Sequence, residues 1–414
     1  MREKIVILGA GITGLSTANF LKNNKYVIIE KEKEPGGYCR TIKQNGFVWD
    51  YGGHCFHFRT SDIKHFFLSK LNAADIRFLK KKTKIFYNGL YIDYPIQKNI
   101  HQLPIEVFID CLYDMYFRPE LTKADLSNYL LSTFGKSLCN MFLFPLNKKV
   151  YKCDLSLLSH DSLGRFLPKI DVKDIITRFE KSQYESYNEY FYCPRLGAGK
   201  FIKALTQNLD KRKLFLGEHV VHIDVNKHVV MTNKNIITYD ILISTIPFPA
   251  LLRFTGIKFD SKLYSHSNVL VYNLGFDSAD NCDYHWIYFP DEEIPFYRIG
   301  YYNNIFGQNR MSIYVEIGLK RTQKINTKKM LKKILTFLKK TRIVKNHKLL
   351  SYNILLLNPA YVHVTDKVKA DVMEKKETLS KLDIYSIGRY GSWTYYSMED
   401  CIIEAKQLVA NLKI

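Results

Sequence analysis

The residues with the clearest chemistry lie in a glycine-rich segment near the start of the chain. Gly9, Gly11 and Gly14 form a G-x-G-x-x-G pattern directly after the apolar run at residues 4–8. Glycines at this spacing let a strand turn sharply into a helix, so that backbone N–H groups can bind a pyrophosphate. Glu30 ends a second apolar run about twenty residues later, where a carboxylate accepts hydrogen bonds from a ribose hydroxyl. The segment predicts a dinucleotide-binding βαβ unit.

A second glycine pair extends this pattern. Gly36 and Gly37 are followed by Arg40, and His54 follows Gly53 a little further on. Glycines here would bring the backbone against a larger cofactor than NAD, and the guanidinium would meet its phosphates. We therefore expect FAD. The sequence alone leaves a catalytic and a structural role open for the histidine.

These residues need a scaffold, and the pattern of the chain predicts an α/β fold in three regions. A discontinuous Rossmann-like FAD-binding domain is expected from residues 1–90, 190–255 and 380–414. A mainly helical insertion domain is expected at 91–189, and an antiparallel β-sheet substrate domain at 256–379. The change from helical periodicity to β-branched and aromatic alternation indicates these boundaries.

Periodicity and capping residues place the individual elements. The predicted helices cover residues 107–116, 123–134, 135–144 and 173–181, a lysine-rich amphipathic stretch within 328–348, and 397–412. The last of these has Ser397 as N-cap and Asp400 three residues later, a capping-box variant. The predicted strands include residues 229–231, 236–244 and 384–387.

Composition limits the partners. The 414-residue chain carries a formal charge of +21, which favours anionic ligands, but no nucleic-acid recognition module is visible. No apolar run is long enough to cross a bilayer, and the lysine-rich helix is better explained by packing than by a peripheral membrane contact. The eight cysteines show no metal-binding spacing. We expect reduced thiols, no metal and a cytoplasmic location.

Four further segments resemble the UDP-galactopyranose mutase family, particularly its eukaryotic-type members. Residues 93–100 resemble the stretch that holds uracil, and residues 144–165 resemble a segment ending in a diphosphate-binding arginine. Residues 285–298 match the family's Cys-Trp-Leu-Tyr-Phe-Pro run, which ends in Pro-Phe-Tyr-Arg. Residues 388–395 are similar to its Gly-Arg-Phe-Gly-Ser-Trp-Arg-Tyr. Isoleucine replaces phenylalanine in the first segment, and tyrosine replaces tryptophan in the second.

The resemblance implies an FAD-dependent mutase that interconverts UDP-galactopyranose and UDP-galactofuranose, with N5 of reduced flavin as nucleophile and NADPH or NADH as reductant. It implies that Arg165 and Arg298 stabilise the diphosphate, while His54 tunes the flavin. The expected substrate-binding residues are Tyr94, Ile96, Gln97, Asn147, Tyr151, Asn188, Trp286, Tyr288, Tyr361 and Tyr395. The expected cofactor-binding residues are Gly9, Gly11, Thr13, Gly14, Glu30, Gly37, Arg40, Gly53, His54, Val220, Gly388, Arg389, Glu399 and Asp400.

Other functions stay open at this point. A mutase for another nucleotide-sugar fits the same motifs, and an amine oxidase or protoporphyrinogen oxidase relative would share the glycine-rich segments. A noncatalytic nucleotide-sugar-binding protein that retains FAD is a third class. Two diphosphate-binding arginines favour the mutase, because an amine oxidase surrounds its substrate with a largely uncharged aromatic cage. The sequence leaves the oligomeric state open.

Overall fold

A computed structural model describes residues 4–21, 25–164, 167, 189–279 and 282–414. Its first layer is a five-stranded parallel sheet, which we call the nucleotide sheet. Its strands, in spatial order, are Ile384–Ser386, Ile241–Ser244, Ile5–Leu8, Tyr26–Glu30 and Leu214–Leu216. They come from distant parts of the chain, as predicted for a discontinuous Rossmann-like domain.

Helices cover this sheet, so its central strands Ile5–Leu8 and Ile241–Ser244 are buried on both faces. Ile5–Leu8 is fully buried, and the helix Ile12–Phe20 that follows packs against Met398–Leu412. That last helix begins with a capping box, in which the Ser397 side chain accepts from the Asp400 N–H and the Asp400 carboxylate accepts from the Ser397 N–H. The predicted cap is confirmed.

A seven-stranded sheet, which we call the large sheet, forms the second layer. Its spatial order is Leu349–Val362, His266–Phe276, Ser312–Lys320, Arg298–Tyr301, Trp286–Tyr288, Thr83–Tyr87 and Leu90–Asp93. Pairing is antiparallel as predicted, except that Trp286–Tyr288 and Thr83–Tyr87 run parallel. The strand Leu90–Asp93, in which the predicted boundary at residue 90 falls, belongs to this sheet.

The two faces of the large sheet follow the two-residue period of a strand. In Ser312–Lys320, Ile313, Val315 and Ile317 pack on one side with the amphipathic helix Thr327–Lys340. Tyr314 and Glu316 therefore point to the opposite side, which we call the site face. The predicted lysine-rich helix is confirmed, although it ends at Lys340.

Short helices fill the segment between residues 96 and 157. Their bounds are Ile96–Lys98, Ile100–Gln102, Ile105–Tyr116, Leu126–Phe134, Lys136–Leu138, Cys139–Leu143, Phe144–Tyr151 and Leu155–Leu157. The predicted α-helix at 135–144 is partly wrong, because residues 139–143 form a π-helical turn. The helix predicted at 173–181 lies outside the described residues.

The predicted strand at 236–244 is also wrong as a single element. Ile236–Thr238 joins Val220–Asp224 and Val229–Thr232 in a three-stranded sheet, whereas Ile241–Ser244 enters the nucleotide sheet. The chain turns at Tyr239 and Asp240. Apolar residues on both sides of this turn made the sequence pattern resemble one continuous strand.

The remaining elements are short, apart from the 15-residue helix Asp366–Ser380. They are the strands Thr41–Gln44, Phe47–Asp50, Ile76–Lys80 and Tyr190–Pro194, and the helices Gly37–Cys39, Ser61–Leu68, Ala73–Asp75, Gly199–Thr206, Lys211–Lys213, Phe248–Thr255, Tyr302–Phe306, Asp366–Ser380 and Gly388–Gly391. Within the described ranges, no helix combines the length and hydropathy needed to span a membrane. No group of three or more His, Cys, Asp or Glu side chains in the same ranges could hold a metal ion.

The glycine turn supplies a test of the fold. A Cβ at Gly14 would lie 2.0 Å from the Gly9 carbonyl oxygen, whereas a Cβ at Gly11 would meet nothing within 4 Å. Gly14→Ala should therefore lower the free energy of unfolding by about 1–3 kcal/mol, the usual cost of overpacking. Gly11→Ala should leave it nearly unchanged, as measured by thermal unfolding of both cofactor-stripped variants. Equal melting temperatures for the two variants would contradict this turn geometry.

Candidate active site

The glycine segments come together at the carboxyl end of the nucleotide sheet. Gly37 has φ +56°, and a Cβ there would lie 3.5 Å from the Gly11 Cα. Glu30 closes the loop, since its Oε2 accepts from the Ala10 N–H at 2.7 Å and its Oε1 from the Glu32 N–H at 3.0 Å. An ionised carboxylate has further lone pairs for a ribose hydroxyl. Two glycine backbones thus face each other beside a buried acid.

The C-terminal turn reaches the same place. Gly388 has φ +85°, and a Cβ there would lie 2.6 Å from the Thr13 Oγ1. Val220 is buried beside the end of the second strand, with Ile29 in the same apolar cluster. Arg40 donates to the Gly37 carbonyl and pairs with the side chains of Glu32 and Glu34. Gly388 and Arg40 therefore lie at the glycine segments, whereas Val220 lies in the apolar cluster beside the second strand.

The carboxylates of Glu399 and Asp400 are bonded to other groups of the protein. The Glu399 carboxylate is buried and accepts from the Arg59 and Thr60 N–H groups at 2.8 and 3.0 Å. The Asp400 carboxylate caps its own helix and pairs with Arg59. Both acids anchor the segment after His54, so a direct cofactor contact remains a prediction.

Two arginines and several tyrosines form what we call the arginine–tyrosine cluster. Tyr361 and Tyr395 stack with ring centroids 5.8 Å apart, and the Arg389 Cζ lies 4.5 Å from the Tyr395 ring. The Arg298 Cζ lies 5.9 Å from the Tyr288 ring, which stacks on Tyr94 at 5.3 Å. Tyr361 interacts electrostatically with both Arg298 and Arg389, so residues distant in sequence form one cationic, hydroxyl-rich cluster.

Arg298 has a buried carboxylate partner. Its Nε and Nη2 donate to the Glu316 Oε2 and Oε1 at 2.6 and 2.9 Å. The two residues face each other across adjacent strands, and Tyr288 is next in the same row. The side chain of Glu316 is 4% exposed and that of Arg298 21%. The pair fixes the guanidinium in one orientation while leaving an edge free for an anion.

His54 lies where the N-terminal segment meets the site face. Its Nδ1 is 3.3 Å from the Gly52 carbonyl oxygen, and its environment includes Arg389, Glu316 and Arg298. Burial lowers the pKa of the imidazole to about 4, so the ring is neutral at physiological pH. A neutral imidazole can donate from one nitrogen and accept at the other.

The backbone beside this histidine is closely packed. A Cβ at Gly53 would lie 2.3 Å from the Tyr314 hydroxyl oxygen and 3.2 Å from the Trp286 Nε1. That Nε1 donates to the same hydroxyl at 2.5 Å. The Trp286 and Tyr314 side chains therefore pack directly against the backbone at Gly53.

Other predicted substrate residues are held in the helical segment. The side chains of Ile96 and Gln97 are buried, and Asn147 donates to the Leu143 carbonyl at 2.7 Å. Tyr151 is buried with its ring 5.8 Å from that of Tyr361, so it joins the arginine–tyrosine cluster from this side. Arg165 and Asn188 lie outside the described residues.

Sequence reasoning missed Tyr314 and Glu316. The signal was present, since Glu316 is the one acid in the apolar run at 312–319. A charge in a buried strand needs a partner. Its distance from Arg298 along the chain, 18 residues, is bridged by antiparallel pairing that the sequence does not specify.

Comparison with known proteins agrees with this architecture. Residues 7–68 match the family model of an NAD(P)-binding Rossmann-like domain. A 52-residue stretch is 38% identical to the zeta-carotene-forming phytoene desaturase of Myxococcus xanthus. That match covers 12% of this chain and only 10% of the desaturase, so it concerns a small part of either protein.

Solved structures extend the likeness to the whole chain. The fold matches that of a reduced UDP-galactopyranose mutase with a TM-score of 0.93 at 22% identity, over 100% of this chain and 94% of the mutase. A candidate protoporphyrinogen oxidase from Exiguobacterium sp. 255-15 gives a TM-score of 0.80 at 14% identity, over 100% and 99% of the two chains. The chain therefore has the fold of these proteins.

The buried ion pair yields a second prediction. Glu316→Gln leaves the guanidinium of Arg298 without its counter-charge and should destabilise the protein by about 3 kcal/mol. The matched control is Glu34→Gln, because Glu34 pairs with Arg40 at 3.6 Å on the surface with its side chain 62% exposed. Such a pair contributes about 0–1 kcal/mol. Thermal unfolding of both variants tests this, and equal losses would be inconsistent with a buried pair.

The depressed pKa of His54 gives a third prediction. Because its pKa falls from 6.5 to about 4 on folding, the unfolded chain binds a proton between these values that the folded chain does not. Stability from this group is thus present above pH 6.5 and is lost as the pH falls toward 4. His54→Gln should reduce the slope of melting temperature against pH in this window. An unchanged slope would rule out this burial effect.

Proposed function

We propose that the protein is an FAD-dependent UDP-sugar mutase that interconverts UDP-galactopyranose and UDP-galactofuranose. The observation that carries the proposal is the arginine–tyrosine cluster, which places Arg298 and Arg389 on one hydroxyl-rich surface beside His54. Arg298 would bind the substrate diphosphate together with Arg165, whereas Arg389 would bind the cofactor beside it. An oxidase for an uncharged amine has no use for a pair of diphosphate-binding arginines.

The residues at the glycine loop fit FAD. Gly11 and Gly37 leave room for a pyrophosphate where side chains would fill the space, and Glu30 lies beside it for a ribose. The Arg389 Nε is buried and has no hydrogen-bond partner among the described residues, so it is free to donate to a ligand. When bound and reduced, FAD supplies a nucleophile, N5, for the anomeric carbon.

The protein's own contribution is binding and electrostatic stabilisation. Arg298, held by Glu316, would stabilise the negative charge that develops on the departing diphosphate, and Arg165 would be the second arginine in that role, as the family resemblance implies. Tyr361 and Tyr395 would position that group through their hydroxyls. Neutral His54 would hydrogen-bond at the flavin without adding a charge. We place the reaction in the cytoplasm, with NADPH or NADH as reductant.

An activity assay tests this function. The purified protein is incubated anaerobically with UDP-galactopyranose, with and without dithionite, and the nucleotide-sugars are separated by chromatography. We expect the furanose only after reduction, because the nucleophile exists only in the reduced flavin. Oxygen consumption with peroxide formation on an amine or a porphyrinogen would instead identify an oxidase. Turnover of a different UDP-sugar would narrow the proposal to the mutase class.

Arginine variants give a further prediction. Arg298→Ala and Arg165→Ala should each lower kcat/KM by about 100-fold or more, as expected for removing a transition-state charge contact. Arg310→Ala is the matched control, since Arg310 is exposed and donates to the Gly46 carbonyl at 3.2 Å. The flavin absorbance spectrum should be retained in all three. Loss of bound flavin in the two site variants would show that these arginines hold the cofactor.

A further inference from the structure

Four lysines near the strand Thr83–Tyr87 differ in their partners. Lys80 pairs with Glu189 at 2.7 Å, Lys82 pairs with Asp283, and Lys84 pairs with Asp93 at 2.8 Å. Lys81 is the exception. Within the described part of the chain, no carboxylate lies at ion-pairing distance from its ammonium group.

Strand geometry explains why Lys81 is separated from its neighbours. Thr83 is in register with Trp286, and successive side chains of a strand alternate between its faces. Lys81 lies in the link between the strands Ile76–Lys80 and Thr83–Tyr87, with its N–H bonded to the Glu189 carbonyl at 2.6 Å. Its contact with the Tyr94 ring and its electrostatic interaction with Arg298 place its ammonium group on the side of Thr83 and Trp286. That side is the site face of the large sheet.

The surroundings of Lys81 are those of the arginine–tyrosine cluster. Its Nζ lies 4.7 Å from the centroid of the Tyr94 ring, which stacks on Tyr288. Burial, and then the nearby positive charge of Arg298, lower its pKa to about 8, so most molecules are still charged at pH 7. Glu316, the acid of this face, is already bonded to Arg298 through both oxygens. Within the described residues, Glu316 therefore balances Arg298, and the positive charge of Lys81 has no carboxylate beside it.

We propose that Lys81 binds the phosphate groups of the nucleotide substrate together with Arg298, approaching them from the side of Tyr94. The inference rests on the proposed function, because it adds a binding residue to the same site. An uncompensated, half-buried ammonium group is unfavourable in the free protein and becomes favourable once an anion lies beside it. Lys80 and Lys82 cannot substitute for it, since their side chains are engaged elsewhere.

Calorimetric titration with UDP tests the assignment, using the full-length holoprotein without turnover. Lys81→Met should weaken UDP binding about 10- to 100-fold, the range expected for losing a hydrogen bond to a charged group. Lys80→Met and Lys82→Met change the net charge by the same amount and should bind UDP within about twofold of wild type, because surface pairs are screened. Lys81→Arg keeps the charge and should restore part of the affinity.

The melting temperature without nucleotide separates binding from folding. Because Lys81 has no carboxylate partner among the described residues, Lys81→Met should have a melting temperature at least as high as that of the wild type. If the lysine were needed for folding, the substitution would lower the melting temperature. If wild type binds UDP and Lys81→Met binds it equally well, the assignment to Lys81 is overturned. The same holds if all three methionine variants lose affinity alike. If the wild type does not bind UDP, the proposed function itself fails.

Discussion

The fold depends on one close contact, where the segment from Asp50 to His54 crosses the site face of the large sheet. A Cβ at Gly52 would lie 2.9 Å from the Glu316 Oε1, and one at Gly53 would overlap the Tyr314 hydroxyl. The Asp50 carbonyl accepts from the Tyr302 hydroxyl at 2.8 Å. Only glycines allow the chain to lie this close, so the glycine pair couples the nucleotide-binding loop to the arginine–tyrosine cluster.

Tyr314 has an equally constrained place. A Cβ at Gly300, its cross-strand neighbour, would lie 2.1 Å from the Tyr314 ring. Glycine in a strand interior costs stability but permits such close approach. Gly300 and Gly53 therefore make room for one ring, whose hydroxyl accepts from the Trp286 Nε1. The geometry around His54 thus rests on residues from three distant segments.

Much of this could be predicted from the sequence because local signals specified it. The glycine spacing, the acid at Glu30 and the Ser397 cap each depend on a few neighbouring residues, and each lies where it was expected. The pairing of Arg298 with Glu316 depends on strand register, which no local pattern specifies. The orientation of Lys81 could not be predicted for the same reason. Four lysines lie within residues 80–84, and the sequence alone does not specify which of them faces the site.

Charge balance at the arginine–tyrosine cluster links these observations. A protein that needed only a stable core would pair every buried cation, as Arg298 is paired with Glu316. Here the Arg389 Nε has no partner among the described residues and Lys81 no carboxylate, while His54 remains neutral beside them. The described residues thus leave an excess of positive charge at this cluster, which is what our proposed function requires for binding substrate phosphates. Glu316 has a distinct role in this balance, because its two oxygens orient the Arg298 guanidinium and offset its repulsion from the other cations.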